Sequence, residues 1–398
     1  MIRAMKTITM PGLIDMHVHL REPGLTHKGD METETRAALA GGVTTVCDMP
    51  NTVPPTVTLE ALKDKVERAK RITDVDIRFY FGVTAREHLE ELRKVFTEES
   101  QKDLRARCCG AKLFLDHSTG DQKIDPLLVE EVLGFCAGRG IVAVCHCEDP
   151  VVNTARRNEF LQVAGDFNRR LQDANNVRIH SLLRPPESEE KAVAFILDLA
   201  KKTGAHVHPT HVSTRNAMGL IRAAKADGVN VTCDVAPHHL FLTTDHYAAL
   251  GTLAKMNPPL RSADDQAALW DGIADGTVDC IATDHAPHTL EEKQNPDPLK
   301  APSGVPGVET LLPLLLTVAA GEWPHPHSRS PKSEVRLTHD NIRRLCFENP
   351  NQILSLGKSD APTITVSTDE EWVIRGRELH SKCGWTPYEG WNVVGKVL

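Results

Sequence analysis

Eight short runs rich in β-branched and apolar residues recur along the chain, at 12–18, 43–49, 77–83, 110–115, 141–146, 206–211, 229–235 and 278–283. Between them lie longer segments with helical spacing of apolar residues, among them 58–71, 85–99, 126–139, 187–203 and 213–227. Strands that alternate with helices imply right-handed parallel crossovers, and eight such units close into a (β/α)8 TIM-type barrel. A doubly wound sheet is the competing α/β architecture. The count of eight and the length of 398 residues favour the barrel, expected over residues 11–357.

No apolar run approaches the roughly 18 residues that a membrane span needs, and residues 1–6 lack the apolar core of a secretory signal. A cytosolic protein is therefore expected, without membrane partners. The net charge of −8 argues against a nucleic-acid surface and leaves room for a small anionic substrate, which responds to local charge. Ten cysteines are scattered rather than spaced as a framework, and Cys47, Cys145, Cys233 and Cys280 sit inside apolar runs, where a reduced thiol behaves as a small hydrophobe.

Barrel enzymes place their chemistry where strands end, and six residues able to bind metal fall there. His17 and His19 close the first run; two apart in extended chain, their imidazoles converge on one point. Lys112 lies in the fourth run, His146 ends the fifth, His211 the sixth, and Asp284 follows the eighth. Imidazoles with a carboxylate suit zinc. Lys112 has two readings: it pairs with a carboxylate such as Asp116, or, as a buried free amine, it takes up carbon dioxide and becomes a carbamate bridging two metals with a hydroxide between them. Asp284 suits a metal ligand that also moves protons to the leaving nitrogen.

Arg21 leaves the first strand at the same rim, either as an ion pair with Glu22 or as a clamp on a substrate carboxylate. Asn51 and Asn257 follow strands two and seven and can orient polar ligand atoms. Asp234, His238 and His239 are assigned to supporting work. Two stretches break the regular spacing: 148–186, read as an excursion capping the barrel, and 290–307, read as a loop over the site. Residues 116–120 read as a further loop able to close on substrate. Beyond 307 the pattern predicts an apolar helix at 308–320, a second helix at 339–356, and short strands at 363–366, 372–375 and 393–398.

With these residues assembled, the chain resembles the amidohydrolase superfamily and, within it, dihydroorotase. The resemblance runs from about residue 11 to 356, and rests on His17-Val-His-Leu-Arg-Glu-Pro-Gly24, Met49-Pro-Asn-Thr52, Pro237-His-His-Leu-Phe241 and the ten residues from Asp284 to Lys293. It implies two Zn2+ ions held by His17, His19, carboxylated Lys112, His146, His211 and Asp284. It also implies a substrate site formed by Arg21, Asn51, Asn257, His288, Ser303 and Gly304, and reversible interconversion of N-carbamoyl-L-aspartate and L-dihydroorotate in pyrimidine biosynthesis. Lysine within Gly110-Ala-Lys-Leu-Phe-Leu115 looks like the dihydroorotase domain of the animal multifunctional pyrimidine polypeptide. A homodimer, associated with other enzymes of the pathway, is implied in the same way. The chain ends, 1–10 and 358–398, are expected to form only a reduced remnant of the family's satellite β-sandwich. The rivals are hydantoinase or dihydropyrimidinase, whose neutral substrates give Arg21 nothing to clamp, allantoinase, and a non-catalytic barrel, against which every ligand position is filled.

Overall fold

In the computed structural model, which describes residues 6–118, 122–163, 177–325, 336–358 and 362–398, a first strand β1 (Thr7–Pro11) precedes six parallel strands laid side by side in chain order. These are β2 (Leu13–Val18), β3 (Val43–Asp48), β4 (Asp76–Gly82), β5 (Cys108–Phe114), β6 (Ala143–His146) and β7 (Val207–Pro209). Two short strands, β8 (Asp234–Val235) and β9 (Cys280–Ile281), pair in parallel with each other. Single parallel bridges then close the ring, Val207 to Val231 on one side and Val18 to His285 on the other. This is the expected (β/α)8 barrel.

Helices cover the outside. Leu59–Ala69, Arg215–Ala226 and Ala263–Ala274 start where the side chains of Thr58, Thr214 and Ser262 accept hydrogen bonds from free N–H groups of the first turn. Pro186–Thr203 starts at a proline and ends at Gly204, whose positive φ of 73° stops the helix. A separate apolar cluster, drawn from β2 to β6 and β9, includes Met16, Cys47, Tyr80, Cys109, Val144 and Cys280 and occupies the barrel axis. Leu354 packs against it from the helical run His339–Arg343, Arg344–Glu348 and Asn349–Ile353, whose middle turn is a π-helix. Asn349 Nδ2 donates to Asp279 O at 2.7 Å, so this run sits at the N-terminal end of β9, opposite the mouth.

The last strands are shorter than the pattern of β-branched residues predicts. The sixth, seventh and eighth runs keep only three, two and two residues of regular strand. At the ends of the sixth and eighth runs His211 and Asp284 adopt left-handed backbone, with φ of 42° and 48°, which does not continue a strand. At the C-terminus the two short strands expected at 363–366 and 372–375 form one strand, β10 (Thr363–Val373), with a bulge between Ser367 and Glu371. The polar residues at the bulge break the alternation and look like a turn. β10 pairs antiparallel with both β1 and β11 (Asn392–Val397), so the chain ends build a three-stranded satellite sheet. Helices Pro150–Val163 and Arg178–Leu183 fill the ends of the 148–186 excursion, and residues 164–176 lie outside the described ones.

Buried Glu34 ties the C-terminal region to the barrel. It accepts hydrogen bonds from His285 Nε2 (2.8 Å), Ser381 Oγ (2.6 Å) and the N–H of Lys382 (3.1 Å). Glu34→Ala leaves these donors without their acceptor, and is expected to lower the unfolding free energy by about 3–5 kcal/mol, read from denaturant unfolding.

Candidate active site

At the C-terminal mouth a small enclosed cavity of about 20 Å³, room for about one water molecule, is lined by His17, His19, Asn51, His146, His211 and Asp284, together with Asn257, Ser303 and Gly304. His17, His211 and Asp284 each offer a ligand atom, and these atoms lie within 4.8 Å of one another. The Nε2 atoms of His17 and His19 stand 3.1 and 3.0 Å from the same carboxylate oxygen, Asp284 Oδ1. The sequence therefore brings five of its six candidate ligands to one wall, and Lys112 lies buried beside them.

The hydrogen bonds behind these rings decide where their lone pairs point. Asp234 accepts from the hydroxyl of Thr210 (2.7 Å), which leaves that oxygen to accept from His17 Nδ1 (2.8 Å). His17 Nε2 then carries a lone pair facing Asp284. In the same way His19 Nδ1 donates to Asn51 Oδ1 (2.7 Å), and its Nε2 also presents a lone pair to Asp284. His146 Nε2 donates to Glu148 (2.8 Å), turning the bare Nδ1 toward His211 Nε2 at 3.1 Å. Imidazole lone pairs aimed at a carboxylate oxygen across about 3 Å, as those of His17 and His19 are at Asp284, are repulsive unless a cation sits among them, and burial opposes protonation of the rings: the desolvated imidazoles of His17 and His211 titrate well below the usual range, depressed further by neighbouring Lys112 and histidines. The donor set fits zinc.

The structure does not make the Lys112–Asp116 pair. Lys112 is fully buried, and its Nζ has no hydrogen-bond partner among the described residues, lying 4.9 Å from the ring centroid of Phe114. Asp116 does not pair with it. That carboxylate is taken by Asn153 Nδ2 (2.7 Å) and the N–H of His117 (2.8 Å). Desolvation lowers the Lys112 pKa from 10.5 to about 8, so a free amine is within reach at ordinary pH.

Arg21 also departs from its simpler reading. Glu22 pairs with Arg68 and Arg71 instead. Arg21 is 2% exposed, its φ is 66°, and its Nε and Nη2 donate to Pro287 O (2.9 Å) and His288 Nε2 (3.1 Å). Among the described residues no carboxylate lies within ion-pair distance of its guanidinium. Burial pulls its pKa down to about 10. Arg21 and His288 do not line the small cavity; they stand behind Gly304, where φ is 133° and a Cβ would fall 2.7 Å from the Ala286 Cβ and 3.2 Å from His288 Nε2.

The small cavity opens beside a larger one of about 550 Å³, with Ser118, Asn257 and Ser303 common to both. Arg157, Arg184, Lys255 and Lys300 line this antechamber, giving the acidic protein a locally basic approach suited to an anion. Ser118 belongs to the loop expected at 116–120; residues 119–121 lie outside the described ones.

Sequence reasoning passed over Asp15, Glu148, His208 and Lys293. Asp15 accepts from the N–H groups of His17 and Thr283, both at 3.1 Å, and from the Thr283 hydroxyl, so it sets the ends of the first and last strands. A charged residue in an apolar run, the signal that exposed Lys112, marks Asp15 too. Glu148 could be found by its place two residues after His146. It is buried, held by Arg184 (2.6 Å) and pushed far below the carboxylate range by that guanidinium and His146, against its desolvation. His208 donates to Asp234 at 2.9 Å and has no signal beyond being a histidine in a strand.

The description "Dihydro-orotase-like" belongs to the family model that matches residues 6–217. A dihydroorotase of Halobacterium salinarum is 38% identical over 389 residues, covering 96% of this chain and 82% of that protein. The chain belongs to the dihydroorotase-like family. It is a hydrolase acting on cyclic amides. Another family relative, the multifunctional protein CAD of Squalus acanthias, is 35% identical over 393 residues, 98% of this chain and 14% of that protein. Among solved structures, the L-hydantoinase (dihydropyrimidinase) of Arthrobacter aurescens superposes with a TM-score of 0.85 at 27% identity, covering 98% of this chain and 83% of that one.

An orphaned ammonium beside a ligand cluster is a liability in the metal-free protein. Lys112→Met, of similar length and without charge, is expected to raise the unfolding free energy of chelator-treated protein by up to about 3 kcal/mol at pH 7. The sign follows from the depressed pKa: the penalty is complete below about 8, where the folded form is charged, and fades toward 10.5. Denaturant unfolding at several pH values checks both.

Proposed function

We propose that this member of the family is a dihydroorotase, opening L-dihydroorotate to N-carbamoyl-L-aspartate and closing it again in cytosolic pyrimidine biosynthesis. Arg21 carries the reading. A buried guanidinium that has no carboxylate partner among the described residues, fixed by Pro287 and His288 behind Gly304, calls for an anion, and a ring bearing a carboxylate supplies one. A neutral hydantoin or dihydrouracil does not. The name of the halobacterial relative and the basic antechamber support the same choice.

In this reading His17, His19, His146, His211, Asp284 and Lys112, the last as a carbamate, would hold two zinc ions. Bound there, the ions supply Lewis acidity toward the scissile carbonyl and lower the pKa of water. Arg21 clamps the substrate carboxylate, with Asn257, His288 and the backbone at Ser303 and Gly304 around the ring, and Asn51 orients His19. In ring opening the amide C–N bond breaks, the carbonyl carbon gains the water oxygen, and Asp284 carries the proton lost by that water to the departing nitrogen. Ring closure returns the proton by the same carboxylate. Residues 11–357 would carry this chemistry, with 1–10 and 358–398 as the satellite. The match to part of a multifunctional protein supports association with other pathway enzymes, and a homodimer is the proposed state.

Side-by-side assays with L-dihydroorotate, dihydrouracil, hydantoin and allantoin test the proposal. Turnover confined to dihydroorotate is expected; preference for dihydrouracil or hydantoin overturns it. Arg21→Met should keep its metal and weaken dihydroorotate binding by about 1.5–3 kcal/mol, the range for hydrogen bonds to charged groups. An unchanged KM removes Arg21 from the substrate site. Asp284→Asn should lose both directions, since an amide cannot shuttle the proton; an active variant with its metal in place assigns that role elsewhere.

A further inference from the structure

Lys293 is fully buried, and among the described residues no carboxylate pairs with it. Its ammonium is spent on backbone: Nζ donates to Lys255 O (2.8 Å), Pro302 O (3.0 Å) and Gly304 O (2.9 Å). Three N–H bonds meet three carbonyls, so the charged form is fully used, and a neutral amine would turn a lone pair on one of them. The indole of Trp385 lies beside it, 5.6 Å from Nζ to the ring centroid, and Trp385 Nε1 in turn donates to His288 O at 2.7 Å. Burial, with the charges of Lys255 and Arg21, pushes the Lys293 pKa well down, which marks how costly this ammonium is to keep.

The three carbonyls belong to two different segments. Lys255 stands two residues before Asn257, on the chain that follows β8. Pro302 and Gly304 flank Ser303, on the chain that follows β9. Asn257, Ser303 and Gly304 line the small cavity. The segments touch through one backbone bond of their own, Gly304 N to Lys255 O at 2.9 Å, and the carbonyls of Pro302 and Gly304 take no other hydrogen bond among the described residues. Lys255 repeats the device on a smaller scale, its own Nζ donating to Leu299 O (3.0 Å) and Ala301 O (2.6 Å).

We infer that Lys293 is a positioning residue for substrate binding: its single ammonium fixes the spacing between the segment bearing Asn257 and the segment bearing Ser303 and Gly304, without itself reaching the cavity. The role rests on the proposed function for its substrate, and on geometry alone for its mechanical part. The histidine and aspartate cluster hangs on other bonds, to Thr210, Asn51, Asp234 and Glu148, and is independent of Lys293. Loss of the ammonium therefore loosens the substrate's frame and spares the chemistry.

Lys293→Met and Lys293→Gln separate this from a merely structural lysine. Expected for Lys293→Met are unchanged metal content, amide exchange at Ser303 and Gly304 faster by roughly tenfold or more, and a KM for dihydroorotate raised by about tenfold with kcat within about threefold. Lys293→Gln keeps two donors and should fall between wild type and Met; it also decides the matter if the Met variant does not fold. Exchange and KM at wild-type levels in a folded variant overturn the inference, as does a fall in kcat with KM unchanged. Wild-type protein assayed in the same series keeps the failures apart: if it does not turn over dihydroorotate, the proposed function fails, while the exchange rates still decide whether Lys293 sets the two segments.

Discussion

The hydrogen bonds that Asp15 accepts from His17 and Thr283 join the first strand of the barrel to the last, and the mouth depends on that join. β8 and β9 are only two residues long, and regular pairing alone closes the ring poorly there. Carboxylates finish the job: Asp15 across the seam, Asp234 of β8 on the N–H of His211 after the sixth strand, and Glu34 on His285. With the sheet replaced by directed side-chain bonds, the backbone is free to leave it at His211 and Asp284 on left-handed φ, as it does at Arg21. Strained backbone of this kind persists where its surroundings over-determine it. Among the described residues four non-glycine residues adopt such backbone, and three of them are candidate site residues.

The eight-unit pattern was legible because buried parallel strands read as continuous β-branched runs, and because helices such as Leu59–Ala69 and Arg215–Ala226 carried an apolar face and a side-chain cap. The cluster of candidate ligands was legible because polar residues at the ends of apolar runs have no packing reason to be there. What escaped is of a different kind. Lys293 sits in Leu290-Glu-Glu-Lys293, which looks like the charged face of a surface helix, and nothing local says that three distant carbonyls converge on it. Glu22 beside Arg21 suggests an ion pair that the fold does not make, because Arg68 and Arg71 arrive from another helix. Long-range partners of charged residues are set by topology, and the neighbours along the chain give no hint of them. The short sixth to eighth strands escaped for a related reason: side-chain bonds to Asp15 and Asp234 outcompete β propensity.

Burial of charge is handled in two ways within one site. Glu148 and Arg184 neutralise each other, and Lys293 and Lys255 rest on carbonyl dipoles. Among the described residues Lys112 has neither arrangement, and Arg21 has one carbonyl, Pro287 O, and no carboxylate. The two groups left wanting an anion are the two that the chemistry proposed here would supply with one, a carbamate in the first case and a substrate carboxylate in the second.

The satellite sheet sets an order of assembly. Thr7 faces Ser367 in the register of β1 and β10, and Glu34 waits for Ser381 and Lys382. On a ribosome that adds about 5–20 residues per second, β1 is made early and stands with an open edge for tens of seconds before its partner exists. Barrel strands β2 to β7 pair with neighbours nearby in the chain and can gather as they emerge, whereas the seam between Asp15 and Thr283 has to wait for the final turn of the barrel. The mouth is therefore the last part of the barrel to be completed, and a nascent chain stalled before residue 283 would carry His17 and His19 without the carboxylate that faces them.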